Sequence, residues 1–237
     1  MRLEKLDVLR GVAVILMIFF HINYSLVNIF NINLLNFSEI FWVILGKISV
    51  FLFIFISGIG FFLAEKKYKN EINIKYIKIS CILGIIAGFI SLITYFLFDG
   101  EQFIKFGIIH FFSLSFLILL IFRKFKLYNL LFGTVILIYG FYFIPIIKNE
   151  YLYFLGFMYP GFNSADYYPL LPYFGVILYG YTLALLLNKI NKFDIFILKN
   201  KKNILINFIG YLGKKSLIVY LIHQPIIILV IYIFLKI

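Results

Sequence analysis

The chain alternates between long apolar runs and short polar stretches. A helix that crosses the hydrocarbon core of a bilayer needs about 20 mostly apolar residues. The short run 204–212 predicts an interfacial helix, and the aromatic stretch 151–162 predicts a surface or re-entrant loop. The pattern therefore predicts an all-α fold, a polytopic transmembrane helix bundle of about seven spans. The predicted spans lie near residues 8–30, 40–64, 76–98, 103–122, 127–147, 168–188 and 216–236.

The composition excludes a water-soluble fold. Hydrophobic residues make up 64% of the 237 positions and charged residues 14%, whereas soluble domains carry about 25% charged residues. No Pro/Ser-rich linker divides the chain, so residues 1–237 are predicted to form a single membrane domain. The one cysteine, Cys81, lies inside an apolar run, which argues against a disulfide framework and a thiol metal site.

The distribution of charge predicts an orientation. The formal net charge is +12, but the lysines occupy short loops between apolar runs, which argues against a nucleic-acid partner. The alternate loops 31–39, 99–102 and 149–167 hold no Lys or Arg. Because Lys and Arg mark cytoplasmic loops, we expect a cytoplasmic N-terminus in a multi-pass protein of the cell inner (plasma) membrane. The first apolar run is too long for a signal peptide and contains His21.

The first predicted span carries three ionisable residues. Asp7 and Arg10 are i, i+3 neighbours that can form an ion pair, with a purely interfacial role as the alternative. His21 follows Arg10 by eleven residues, which at ~100° and 1.5 Å per residue places it on nearly the same face, roughly 16 Å away. An ionisable group inside the bilayer costs at least ~2.5–3.5 kcal/mol and is a functional candidate by default. A buried structural histidine is the alternative.

Further polar residues fall at a similar predicted depth. Lys47, His110 and Asp166 share the level of His21 toward the outer face, while His223 lies nearer the middle of the last span. Snorkelling of Lys47, and a structural or solvated role for His110 and Asp166, are the alternatives. Four polar residues at one level predict a polar cavity.

The residue types favour group transfer. The sequence lacks a His-x-x-x-His zinc spacing, a Gly-rich phosphate loop and a Gly-x-Ser-x-Gly elbow, and we expect no metal. A histidine beside a carboxylate can act as a general base or carry an acyl group covalently. Arg10 and the basic cytoplasmic loops suit a phosphorylated donor.

Several segments resemble one superfamily. LDVLRGVAVILMIFFH (6–21) resembles the signature of integral-membrane acyltransferases, which include the acyltransferase type-3 proteins and the heparan-α-glucosaminide N-acetyltransferase catalytic-domain family. FISGIGFFLA (55–64) resembles their Ser-Gly helix, and LGKKSLIVYLIHQP (212–225) their closing helix. KFGIIHFFSLS (105–115) and SADYYPLLPYFG (164–175) are similar to the heparan-type branch.

The resemblance implies an acyltransferase. The donor is an acyl-CoA, usually acetyl-CoA, bound from the cytoplasm as co-substrate, and the acceptor is a hydroxyl or amine of a cell-envelope sugar or glycan. His21 is implied as catalytic base or acyl carrier, and His110 and Asp166 as supporting catalytic residues. The implied donor-binding residues are Arg10, Asp7, Ser57, Lys66, Lys67 and His223.

Three alternative functions make different demands on the sequence. A transporter or flippase for a small polar or glycolipid substrate predicts inverted repeats, and we find none. A seven-helix photoreceptor needs a Schiff-base lysine in the middle of the last span, whereas Lys214, Lys215 and Lys236 lie at its ends. A scaffold protein would tolerate loss of Arg10 and His21. The chain is shorter than the type-3 proteins, which favours a homodimer that completes the cavity.

Overall fold

The computed structural model describes residues 4–33, 37–98, 100, 102–144, 149, 151–193 and 203–235. The predicted spans 127–147 and 216–236 run past this part, at residues 145–147 and 236. The eight α-helices of these ranges confirm the all-α prediction, and the short helix predicted near 204–212 is present as α7. They are α1 Glu4–Asn28, α2 Glu39–Tyr68, α3 Ile72–Leu97, α4 Ile108–Phe122, α5 Asn129–Ile138, α6 Leu170–Lys189, α7 Ile204–Lys214 and α8 Ser216–Leu235.

Five helical segments of the described chain are long and apolar enough to cross a membrane. They are Glu4–Asn28, Glu39–Leu97, Ile108–Phe143, Leu170–Lys189 and Ser216–Leu235. Spanning helices suit such runs because they satisfy every backbone hydrogen bond internally, which lipid cannot do. The chain is therefore a multi-pass membrane protein, while the count of seven and the cytoplasmic N-terminus stay predictions.

Two of these segments each contain a reversal of the chain. The rings of Phe61 and Tyr76 lie 4.3 Å apart between centroids, whereas fifteen residues of straight helix would separate them by about 22 Å. The turn falls at the 3-10 helix Lys69–Glu71, where Lys69 has φ 42°. A second turn, at Lys126 (φ 49°, ψ −117°), separates α4 from α5.

The described residues form two compact units, Met1–Ile56 with Asn191–Ile237, and Ser57–Ile190. In the first unit, α7 and α8 both pack against α1, and the Ser49 hydroxyl of α2 donates to the carbonyl oxygen of Ala13 at 2.8 Å. In the second, α3 packs on α4 and α5 on α6, around the fully buried Phe61 and Phe111. The single domain predicted for residues 1–237 stays a prediction.

Candidate functional site

Two predicted site residues meet in the first unit, His21 on α1 and His223 on α8. Their imidazole rings are edge to face, with centroids 4.6 Å apart. His223 is buried, with 8% of its surface exposed, and His21 is half-buried. The two helices that the sequence places at opposite ends of the chain thus bring two titratable rings into contact.

The hydrogen bonds of both rings fix their tautomers. His21 Nδ1 lies 2.9 Å from the carbonyl oxygen of Met17, and His223 Nδ1 bonds the carbonyl oxygen of Tyr220. Because a carbonyl only accepts, each Nδ1 carries the proton, and each neutral ring keeps its lone pair on Nε2. His223 Nε2 is buried and has no hydrogen-bond partner within the described part of the chain. Both rings are therefore held in the form that can accept a proton at Nε2.

Sequence reasoning missed two polar neighbours of this pair. The amide nitrogen of Gln224 donates to the hydroxyl of Ser25 at 3.1 Å, and Ser25 is fully buried. Gln224 Oε1 is a second buried acceptor that has no partner among the residues described. A signal was available, because Ser25 lies one helical turn after His21 and Gln224 directly follows His223.

The start of α1 carries the predicted pair of Asp7 and Arg10. Arg10 Nη1 lies 3.4 Å from Asp7 Oδ1, with 29% and 9% of the two side chains exposed. This confirms the i, i+3 pairing. A cleft of about 80 Å³ opens beside Asp7, between α1 and α7, and Asn207 and Lys214 line its other wall.

Glycines allow α7 to approach this part of α1 closely. A Cβ at Gly213 would overlap the carbonyl oxygen of Asp7 and lie 2.7 Å from the amide nitrogen of Gly11. A Cβ at Gly11 would overlap the carbonyl oxygen of Ile209. Because backbone atoms occupy both positions, only glycine permits this spacing. The Gly of the LRG sequence thus has a packing role next to the Asp7–Arg10 pair.

In the second unit, His110 and Asp166 bind the N-terminus of α4. Asp166 Oδ2 accepts a hydrogen bond from the Ile108 amide at 3.1 Å. A carboxylate stabilises a helix N-terminus because the free N–H groups there carry partial positive charge. Gly107, the N-cap, has no side chain, and a Cβ at this position would overlap Asp166 Oδ2.

Both ring nitrogens of His110 are occupied. The Gly107 amide donates to Nδ1 at 3.2 Å, so the neutral ring carries its proton on Nε2. Nε2 lies 3.1 Å from the hydroxyl of Ser91, which itself donates to the carbonyl oxygen of Ile104 at 2.6 Å. His110 therefore differs from His21 and His223, since its lone pair is already used by the backbone.

The segments before α4 and before α6 pair with each other. The Tyr168 amide donates to the Phe106 carbonyl at 2.9 Å, and the Lys105 amide donates to the Ser164 hydroxyl at 3.1 Å. Burial, and secondarily the Asp166 carboxylate, raises the pKa of Tyr168, so this phenol stays neutral. The two segments that resemble the heparan-type branch thus form one structural element.

The other predicted site residues lie elsewhere. Lys47 is exposed on α2, as is Lys67, whereas Lys66 Nζ donates to the side-chain oxygen of Asn188 at 2.5 Å. Ser57 is half-buried on α2, beside Gly58, where a Cβ would overlap the carbonyl oxygen of Ile177. Nothing in these contacts brings Ser57, Lys66 and Lys67 into one cluster.

Near the end of α2, the second unit holds a polar network that the sequence analysis did not predict. The Tyr181 hydroxyl donates to Glu65 Oε2 at 2.9 Å. Arg123 Nη1 lies 3.4 Å from Glu65 Oε1, and Nη2 donates to Asn73 Oδ1 at 3.0 Å. These hydrogen bonds and this ion pair connect the end of α2 to α3, to the end of α4 and to α6. Across the described ranges no group of three His, Cys, Asp or Glu side chains is placed to hold a metal ion.

Comparison with known proteins identifies a family. The family model described as heparan-alpha-glucosaminide N-acetyltransferase, catalytic, matches residues 2–225. No curated protein matches the chain, and no solved structure matches it.

Proposed function

Because the chain belongs to the heparan-alpha-glucosaminide N-acetyltransferase catalytic family, we propose that this membrane acetyltransferase takes the acetyl group from cytoplasmic acetyl-CoA. We further propose that the acceptor is a hydroxyl or amine of a cell-envelope sugar, and that the protein lies in the plasma membrane. The observation that carries the proposal is the contact between the rings of His21 and His223, each of which bonds a helix carbonyl oxygen through Nδ1 and keeps its lone pair on Nε2.

The general base of the reaction is His21. As the acceptor oxygen or nitrogen attacks the thioester carbonyl, His21 Nε2 takes the proton that the acceptor loses. The C–S bond breaks, the sulfur of coenzyme A leaves with the bonding pair, and the imidazolium returns its proton to that sulfur. The Met17 carbonyl supports this role because it holds the proton on Nδ1 and keeps Nε2 basic. Proton transfer by a positioned side chain contributes typically ~10²–10⁴-fold to a rate.

His223, for which the resemblance implies donor binding, contacts His21 instead, and together with Gln224 it positions the acyl acceptor. Their free acceptor atoms, Nε2 and Oε1, are buried next to the His21 ring and the Ser25 hydroxyl. A buried atom that could accept a hydrogen bond but has no donor costs roughly 1–3 kcal/mol. An O–H or N–H group of the sugar removes that cost when the sugar binds. The binding energy is thus directed to the group that must lose its proton.

The donor contacts the start of α1. Arg10 has 29% of its side chain exposed, and a guanidinium recognises phosphate through paired N–H groups. Asp7 holds Arg10 in place. Ser57, Lys66 and Lys67 belong to the second unit, and their contact with the donor stays a prediction from the resemblance.

His110 and Asp166 act as positioning residues. Their contacts with the Gly107 and Ile108 amides fix the N-terminus of α4. This role is supported by the occupied ring nitrogens of His110, because a general base needs a lone pair that is not already bonded.

The test uses purified full-length protein in detergent and radiolabelled acetyl-CoA. We expect saturable binding to the wild type, His21→Ala and His21→Gln, with acetyl release lowered ~10²–10⁴-fold in both variants. Asn28→Ala is the matched control, because this α1 amide donates only to its own helix at Tyr24 in the contacts seen. Label that stays on denatured wild-type protein but not on His21→Gln identifies His21 as an acyl carrier instead of a base. Wild-type release by His21→Gln, or no binding to folded wild type, refutes the proposal.

A further inference from the structure

The short helix α7 presents a large apolar face that no other helix of the described residues covers. Its eleven residues span about 16 Å, half the ~30 Å of a bilayer core, so α7 cannot cross a membrane. Ile204, Leu205, Phe208 and Tyr211 are 83%, 70%, 58% and 57% exposed. Ile204, Phe208 and Tyr211 follow i, i+4, i+7 spacing and form one stripe.

The opposite face of α7 fixes its depth. Gly213 packs on the backbone of Asp7 and Gly11, and a Cβ at Gly210 would lie 3.5 Å from Val8. Every Lys, Arg, Asp and Glu of α1 lies within Glu4–Arg10, and the rest of the helix has none. This change from charged to apolar sequence marks the boundary of the hydrocarbon core. The α7 helix therefore lies level with the headgroups.

The charge of α7 is of one sign. The helix contains no Asp or Glu and ends at Lys214, with Lys215 as its C-cap. The neighbouring first turn of α1 holds Lys5 together with Glu4 and Asp7, and these two carboxylates line a cleft with Lys214, whereas Lys215 is not part of that lining. A helix with an apolar face and lysines at headgroup level matches the surface of a bilayer that contains anionic lipids.

We propose that α7 is a membrane-surface helix whose apolar stripe enters the acyl-chain boundary and whose Lys214 and Lys215 bind anionic phospholipid headgroups. Because α7 contacts the turn that holds Asp7 and Arg10 without intervening side chains, lipid binding also holds the proposed donor site in place. This last consequence rests on the proposed function, whereas the position of α7 does not.

The depth of α7 is measured with tryptophan fluorescence. Trp42 is the one tryptophan, so Trp42→Phe removes the background, and Phe208→Trp then places an indole on the stripe. In vesicles of phosphatidylcholine brominated at a shallow or a deep chain position, we expect the Phe208→Trp protein to be quenched mainly by the shallow label. Ile226→Trp is the matched control, since this residue is 48% exposed near the middle of α8 and its replacement should respond mainly to the deep label.

The lipid preference is measured with the same two proteins. Replacing brominated phosphatidylcholine by brominated phosphatidylglycerol at equal content should increase the quenching of Phe208→Trp and leave that of Ile226→Trp unchanged. Lys214→Gln with Lys215→Gln should lower the relative affinity for phosphatidylglycerol roughly thirtyfold, since each lysine near a charged surface contributes ~1 kcal/mol. Both lysines are exposed, and circular dichroism checks that the helices are intact.

Three results overturn the proposal. If neither label quenches the Phe208→Trp protein, the stripe lies outside the lipid. If brominated phosphatidylcholine and brominated phosphatidylglycerol quench equally, Lys214 and Lys215 do not bind anionic headgroups. Quenching that appears only on dilution of protein in lipid assigns the stripe to a second copy of the chain. None of these measurements needs enzymatic activity, so they are independent of the acetyl-transfer test.

Discussion

The contact between α1 and α7 allows a comparison of two glycines on one helix. Gly213→Ala places a Cβ against the carbonyl oxygen of Asp7 and 2.7 Å from the amide nitrogen of Gly11, whereas ordinary contacts begin near 3.4 Å. Gly210→Ala places it 3.5 Å from Val8, at an ordinary distance. Both substitutions stabilise the helix itself by ~1 kcal/mol, because Ala has a higher helix propensity than Gly. Only Gly213→Ala must push the backbones of α1 and α7 apart.

The two substitutions are expected to change the free energy of unfolding in opposite directions. Overpacking of this kind costs ~1–3 kcal/mol and exceeds the propensity gain at Gly213, because neither backbone atom can rotate away. We therefore expect Gly213→Ala to destabilise the first unit by up to ~2 kcal/mol and Gly210→Ala to stabilise it by up to ~1 kcal/mol. For a chain of this size the difference corresponds to roughly 5–10 °C in the midpoint of thermal unfolding.

The assay is thermal unfolding of the purified protein in detergent, followed by circular dichroism and repeated by titration with a denaturing detergent. Acetyl-CoA binding is measured on the same samples, and we expect it to weaken in Gly213→Ala because the Asp7–Arg10 turn moves. If Gly213→Ala is as stable as Gly210→Ala, the two helices are not in backbone contact, and the reasoning about this interface is wrong.

The other predictions concern the second unit. Asp166→Ala removes the acceptor of the Ile108 amide, and we expect the free energy of unfolding to fall by ~1–3 kcal/mol. Asp166→Asn should lose less stability, because its amide oxygen still accepts this hydrogen bond. Thermal unfolding measures both variants, and equal losses would contradict the capping role of Asp166. Tyr181→Phe removes the hydroxyl that donates to Glu65, and we expect ~1.5–3 kcal/mol of destabilisation. In a Glu65→Gln, Arg123→Gln background the loss from Tyr181→Phe should fall to about 0.5–1.5 kcal/mol, because a neutral amide oxygen still accepts from the Tyr181 hydroxyl but binds it more weakly than a carboxylate. A double-mutant comparison tests this difference.

Much of the fold follows from the sequence because hydrophobic length is sufficient to specify a membrane helix. A helix lies in each of the seven predicted segments, and α7 lies in the short apolar run 204–212. The turn at Lys126 was less visible, since it lacks Gly and Pro and depends on a positive φ at a lysine. The predicted helix start near residue 103 falls five residues early, because residues 103–107 pair with the segment before α6 instead.

The candidate site was predictable only in part. Arg10, Asp7 and His21 lie on one helix, so their spacing alone places them. The contact of His21 with His223 depends on the packing of two helices from opposite ends of the chain, which periodicity does not encode. His110 looked equivalent to His21 in the sequence, because each is a single histidine in an apolar run. Their hydrogen bonds distinguish them.

This distinction gives the histidines different chemical capacities. A histidine at the third position of a helix can turn back and accept the free N–H of the N-cap, as His110 does with Gly107. In mid-helix every nearby N–H is already bonded within the helix, so the ring can only donate to a carbonyl, as His21 does to Met17. Donation from Nδ1 leaves the Nε2 lone pair directed away from the helix. A mid-helix histidine in an apolar run is therefore oriented as a base by its position, whereas one in the first turn serves the helix end.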